Sequence, residues 1–97
     1  MPSSHDSADL ILRLYELRRD PEMRAARDWF FTQFHPKSAQ EVFAQWMGPD
    51  SAHYRMVTTY WEMAATLVTH DAIDASMFHA ANTEYAAVIA KLGPFLP

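Results

Sequence analysis

"HYRMVTTYWEMAATLVTH", residues His53 to His70, is more apolar than an ordinary surface helix and holds one carboxylate, Glu62. At 100° per residue its apolar side chains cover an arc of roughly 200°, wider than a helix with a single buried face needs. The residues of this arc are Tyr54, Met56, Val57, Tyr60, Trp61, Met63, Ala64, Leu67 and Val68. We therefore expect this segment to be the central helix, with Thr58, Thr59, Thr66 and Thr69 on a partly covered strip.

The segments before it are also predicted to be helical, because their apolar residues recur at helical spacing and none alternates as a half-buried strand does. The first helix is expected from an N-cap at Asp6 or Ser7 to Arg19. A second helix is expected over residues 20–35, since Pro36 disfavours helical geometry at the residue before it.

Two further helices complete the prediction. Ser38 followed by Glu41 is a capping-box pattern, which predicts a short third helix that ends near Gly48. The fifth helix is predicted over residues 74–92, stopping at Gly93. The predicted fold is all-α, a compact five-helix bundle of four longer helices and one short one, with helix 53–70 central.

Length and composition narrow the functions that the chain can have. Its 97 residues, 49% of them hydrophobic, predict a single helical domain over 1–97 with a flexible N-terminus over 1–5. The chain has no cysteine, which excludes disulfides and thiolate sites. A net charge of −4 and interleaved basic and acidic residues argue against nucleic acid. Without a signal-peptide pattern or an apolar run of about 20 residues, we expect no membrane partner and a cytoplasmic location.

Arg27 falls inside the apolar face of the second helix, between Met23 and Phe31. A guanidinium stays charged, so it must either extend to water along its aliphatic stem or meet a carboxylate. Glu62 lies on the helix predicted to be most enclosed. A structural ion pair between Arg27 and Glu62 is therefore expected, with the extended arginine or another partner for Arg27 as the alternatives.

No catalytic residue, metal ligand or cofactor is predicted. Glu62 has neither a second carboxylate at helical spacing nor an adjacent serine or histidine to activate, so catalysis by this acid is disfavoured. His70, Asp71 and Asp74 form the densest group of metal-ligating residue types, and they superficially resemble the helical metal phosphohydrolases. Matching motifs elsewhere are missing, so a metal-dependent hydrolase is the least favoured reading.

The fifth helix has a second, non-core side of small uncharged residues, which permits close approach of another helix. Ala80, Thr83, Ala87 and Ala90 are the candidate dimer residues on that side. The favoured function is a non-enzymatic interaction or accessory module that self-associates or binds another protein. The alternative is a small-molecule pocket lined by Trp29, Trp46, Tyr60 and Trp61.

Three motifs give the chain a family resemblance. They are "RAARDWFFTQF" over 24–34, "TYWEMAATLV" over 59–68, and Ile73-Asp74 before the last helix. With them the chain resembles the small helical bacterial proteins grouped as domain of unknown function 4760. The resemblance implies an all-α fold and no particular activity, and it leads us to expect a glycine in the turn where this chain has "THDAID".

Overall fold

The computed structural model describes residues 3–95 of the chain, and the ordered elements within that range are helices. The α-helices are α1 (Ser4–Arg18), α2 (Pro21–Thr32), α3 (Ala39–Ala44), α4 (Ser51–Thr69), α5 (Ala75–Ala81) and α6 (Glu84–Leu92), and a 3₁₀ turn spans Gly93–Phe95. The all-α prediction is confirmed. Four of the five predicted helices correspond to α1 to α4, and the fifth is divided into α5 and α6.

Side chains cap the starts of four helices. Asp20 Oδ2 accepts hydrogen bonds from the backbone N–H groups of Glu22 and Met23, and Ser38 Oγ accepts one from Glu41 N–H. The Glu41 carboxylate accepts a hydrogen bond from Lys37 N–H, one residue before the N-cap Ser38, so it reaches back over the start of α3 much as in a capping box. These local signals explain why the starts of α2 and α3 were predicted correctly.

Helix boundaries differ from the prediction at several places: α3 ends at Ala44 and α4 begins at Ser51, and α1 and α2 differ as well. Ser3 caps α1, so Asp6 and Ser7 lie inside the helix, and residues 4 and 5 of the predicted flexible N-terminus are helical. Residues 1 and 2 of that segment are outside the described part of the chain. Helix α2 was expected to reach residue 35, the last residue before Pro36. It ends three residues earlier, at Thr32.

The core forms mainly where α2 packs on α4. Phe30 of α2 and Val57 of α4 are completely enclosed, and Trp29 stacks on Phe34 with ring centroids 5.1 Å apart. Phe34 in turn meets the edge of the buried Tyr54 ring. Helix α4 therefore supplies much of the core, as predicted.

The buried side of α4 is narrower than the apolar arc that the sequence predicted. Met63 is half exposed, and the threonine strip is open to solvent apart from the half-buried Thr58. The hydroxyls of Thr58, Thr59 and Thr66 donate to the backbone carbonyls four residues earlier, so they are satisfied within the helix. These threonines therefore do not require a second helix packed over them.

The molecule is flat, with extents of 41 × 31 × 19 Å and a radius of gyration of 14.3 Å. A compact domain of this length is expected to have a radius of about 12.5 Å. Its accessible surface, 6489 Å², exceeds by about 800 Å² the area typical of a monomer of this mass. Within residues 3–95, no helix combines the length and hydropathy that a bilayer crossing requires.

Candidate binding groove and uncharged helix surface

Arg27 pairs with Glu84 of α6, and the predicted pair with Glu62 is wrong. Arg27 Nη2 donates to Glu84 Oε1 at 2.8 Å, and Arg27 Nε donates to Glu84 Oε2 at 3.0 Å. Both side chains are largely shielded, with 27% and 19% of their surfaces exposed. Glu62 is exposed on α4 and forms no ion pair with any residue in the described range. Charged, two-point contact of this kind fixes the relative position of two helices.

The break between α5 and α6 explains the change of partner. Asn82 has extended backbone angles, and its side-chain amide donates to Phe78 O at the end of α5. A continuous helix would bury Ile89 and leave Glu84 at the margin of the apolar face. In the structure α6 is turned about its axis, so that Glu84 faces inward and Ile89 is 61% exposed.

Arg18 and Tyr60 extend the ion pair towards α1. Arg18 Nη1 lies 3.4 Å from Glu84 Oε2, and its guanidinium lies over the Trp61 ring. The Tyr60 hydroxyl donates to Leu14 O at 2.7 Å. Burial raises the pKa of Tyr60 to about 12, and the nearby Arg18 guanidinium partly opposes that rise. These contacts join α1, α2, α4 and α6.

Lys91 holds the other end of α6. Its Nζ donates to Phe30 O and Phe34 O, each at 2.7 Å, and so satisfies carbonyls at the C-terminal end of α2. Burial lowers the pKa of this ammonium. Glu84 and Lys91 are the only aspartate, glutamate, lysine or arginine residues between residues 75 and 92, and both contact other helices of the molecule.

The outward-facing residues of α5 and α6 therefore form a surface without formal charge, which we call the uncharged surface. Its exposed residues are Ala75, Ser76, Ala80, Ala81, Thr83, Ala86, Ala87 and Ala90. All four candidate dimer residues, Ala80, Thr83, Ala87 and Ala90, belong to it. Their exposure leaves them open to a partner, and their role in dimerisation stays a prediction.

A groove of about 520 Å³ lies between α4 and the last two helices, next to the uncharged surface. We call it the α4–α6 groove. Its walls comprise Thr58, Trp61, Glu62, Ala65, Val68, Thr69, Phe78, His79, Tyr85, Val88, Ile89 and Leu92. This volume falls within the range of small-molecule sites, roughly 300–1,000 Å³. The sequence did not predict the groove, since it depends on the distance at which α6 sits from α4.

Polar groups in the groove are few, and its hydroxyls and one imidazole nitrogen are already paired. Tyr85 Oη and His79 Nδ1 are 2.6 Å apart and share a hydrogen bond. The hydroxyls of Thr58 and Thr69 donate to carbonyls of their own helix. The indole Nε1 of Trp61 is buried and has no hydrogen-bond acceptor in the described part of the chain. Glu62 is the only residue of the wall that carries a formal charge.

The four aromatic residues predicted to share a pocket are divided among separate places. Trp29 and Tyr60 line two other depressions, whereas Trp61 lines the α4–α6 groove. Trp46 is half exposed and packs edge-on against Tyr54. Only Trp61 of the predicted set contributes to the groove.

The residues considered for a metal site have structural contacts of their own. Asp74 Oδ2 accepts a hydrogen bond from Met77 N–H and so caps α5, while Asp74 N–H donates to the buried Ser7 Oγ. His70 is the C-cap of α4, and Asp71 adopts a left-handed backbone with φ 61°. Within the described range, no three histidine, aspartate or glutamate side chains lie together as metal ligands would.

The left-handed Asp71 accounts for the glycine expected in this turn, because glycine adopts positive φ without steric cost. The family model Domain of unknown function (DUF4760) matches residues 4–97. The chain belongs to the DUF4760 family. No curated protein and no solved structure matched it. The resemblance based on the three motifs is thereby confirmed. The groove and the uncharged surface are the two features of this DUF4760 chain that indicate a function.

Proposed function

We propose that this DUF4760 protein is a non-enzymatic interaction module that self-associates through the uncharged surface of α5 and α6. The observation that supports it is the inward use of both charged side chains of α6. Glu84 is committed to Arg18 and Arg27, and Lys91 is committed to carbonyls of α2. An exposed helix face ordinarily carries charged residues, whereas this one presents alanines beside an exposed Ile89.

The size of the exposed surface supports a second copy as the partner. A standard interface takes about 800 Å² from each partner, which is close to the excess surface of this flat molecule. Small side chains at Ala86, Ala87 and Ala90 allow two α6 helices to approach closely. In a two-fold dimer the same face serves both copies, so one substitution changes the interface twice.

Sedimentation velocity over a range from micromolar to several hundred micromolar protein tests the proposal. We expect a dimer for the wild type and a monomer for Ala87→Glu, because two carboxylates would be buried without partners. A penalty of about 3 kcal/mol corresponds to a weakening of roughly a hundredfold. Ala25→Glu, which places the same charge on an exposed position of α2, is the matched control and should dimerise normally.

A wild-type protein that is monomeric at the highest concentration would contradict self-association. Equal dimerisation of Ala87→Glu and the wild type would instead place the interface elsewhere. Circular dichroism of each variant establishes that the helices are intact. A cytoplasmic location and the exclusion of nucleic acid remain predictions from composition and charge.

A further inference from the structure

We infer that the α4–α6 groove is a binding site for an amphiphilic organic cation, with an apolar body in the groove and a protonated amine at Glu62. The inference is independent of the proposed dimer. Ala86, Ala87 and Ala90 lie on the outward side of α6, whereas Tyr85, Val88 and Leu92 face the groove. Ile89, between the two sides, is the residue of α6 that borders both.

The apolar body is required by the character of the walls. Trp61 and Phe78 are buried aromatic residues that present ring surface, and Val68, Val88 and Leu92 add aliphatic surface. The hydroxyls and the imidazole along the walls are hydrogen-bonded to groups of the protein itself. A strongly hydrated ligand would therefore find few partners there, whereas an apolar one gains free energy by leaving water.

The positive charge of the ligand follows from the charges around the groove. Glu62 is the single formally charged residue of the wall, and it has no basic partner among residues 3–95. Arg18 and Arg27, the cations of the neighbouring ion cluster, both contact Glu84 and do not belong to the wall of the groove. Aromatic faces attract cations, and the groove that Glu62 borders is lined by Trp61 of α4 and by Phe78 and Tyr85 of the facing helices.

An anionic amphiphile such as a fatty acid fits this site poorly. Its carboxylate would lie beside Glu62 in a molecule of net charge −4, with no cation on the wall to neutralise it. A purely hydrophobic groove would bind apolar compounds whatever their charge. A preference for a positively charged ligand therefore distinguishes the proposed site from such a groove.

Isothermal titration calorimetry with octylammonium, 1-octanol and octanoate tests the inference, because the three probes share one apolar body and differ in charge. At neutral pH and low salt we expect octylammonium to bind at least about fivefold more tightly than octanoate, as an exposed charge pair would give. Glu62→Gln should remove that preference. Glu16→Gln, which neutralises an exposed acid of α1 outside the groove, should retain it.

Two further variants locate the site. Ala65→Trp fills the groove from an exposed position of its wall and should abolish binding of octylammonium while the helical spectrum stays unchanged. Ala87→Glu should leave binding of octylammonium unaltered even if it dissociates a dimer, so failure of this inference and failure of self-association give different results. Absence of binding, equal binding of the three probes, or a preference that survives Glu62→Gln would each overturn the inference.

Discussion

Glu62 and Glu84 show how two acids of one chain acquire different roles from their surroundings. Glu84 lies between two guanidinium groups in a largely shielded position. Glu62 is exposed on α4, where it borders an apolar groove. Burial and the two nearby arginines therefore give Glu84 a structural role, whereas the exposed Glu62 is available to a ligand.

Asp71 has a backbone conformation that suits glycine better than a residue with a side chain. It is the only non-glycine residue of residues 3–95 with positive φ, a conformation that costs an L-residue roughly 1–2 kcal/mol. We expect Asp71→Gly to raise the free energy of unfolding by about 0.5–1 kcal/mol, because the cost disappears while the turn is kept. Urea denaturation monitored by circular dichroism measures it. Asp71→Ala is the paired control, with the opposite sign expected.

At the scale of elements, Tyr60 joins α4 to α1 through its hydrogen bond to Leu14 O. Because burial raises the pKa of Tyr60 to about 12, the phenol ionises at lower pH in the unfolded chain than in the folded one. Its contribution to stability is fully present below pH 10. It then declines as the pH rises towards 12, with a slope of about 1.4 kcal/mol per pH unit.

Comparing Tyr60→Phe with the wild type at pH 9 and pH 11 isolates this effect from other titrations. At pH 9 the variant should be less stable by about 1 kcal/mol, the usual value of one hydrogen bond. At pH 11 we expect the difference to shrink or reverse, since only the wild type loses stability through this phenol. Tyr15→Phe, at a half-exposed position of α1, should show no such change. A difference that is equal at both pH values would contradict the account.

The starts of α2, α3 and α5 were predictable, because Asp20, Ser38 and Asp74 each satisfy backbone groups within three residues. Interactions between residues so close in sequence can be predicted from the local sequence alone. The break at Asn82 was not predicted, because two alanines precede it and the apolar spacing continues across it. Only the low helix propensity of asparagine and threonine at 82 and 83 indicated an interruption.

At the scale of the whole molecule, the break determines which side of α6 faces inward. Because α6 is turned, its two charged residues are anchored on α1 and α2, Ile89 is outside, and the α4–α6 groove remains. Pairing of Arg27 depends on this long-range arrangement, so the sequence indicated that Arg27 needs a carboxylate but led to Glu62, whereas the partner is Glu84. The groove depends on the same arrangement, so the spacing of apolar residues in the sequence could not predict it either.

A double-mutant cycle on Arg27 and Glu84 tests this orientation of α6 most directly. From the unfolding free energies of Arg27→Met, Glu84→Gln and the double variant, we predict a coupling of about 2 kcal/mol, within the range measured for contacting residues. The same cycle with Glu62→Gln in place of Glu84→Gln should give a coupling within about 0.3 kcal/mol of zero. A substantial coupling to Glu62, with none to Glu84, would contradict the account.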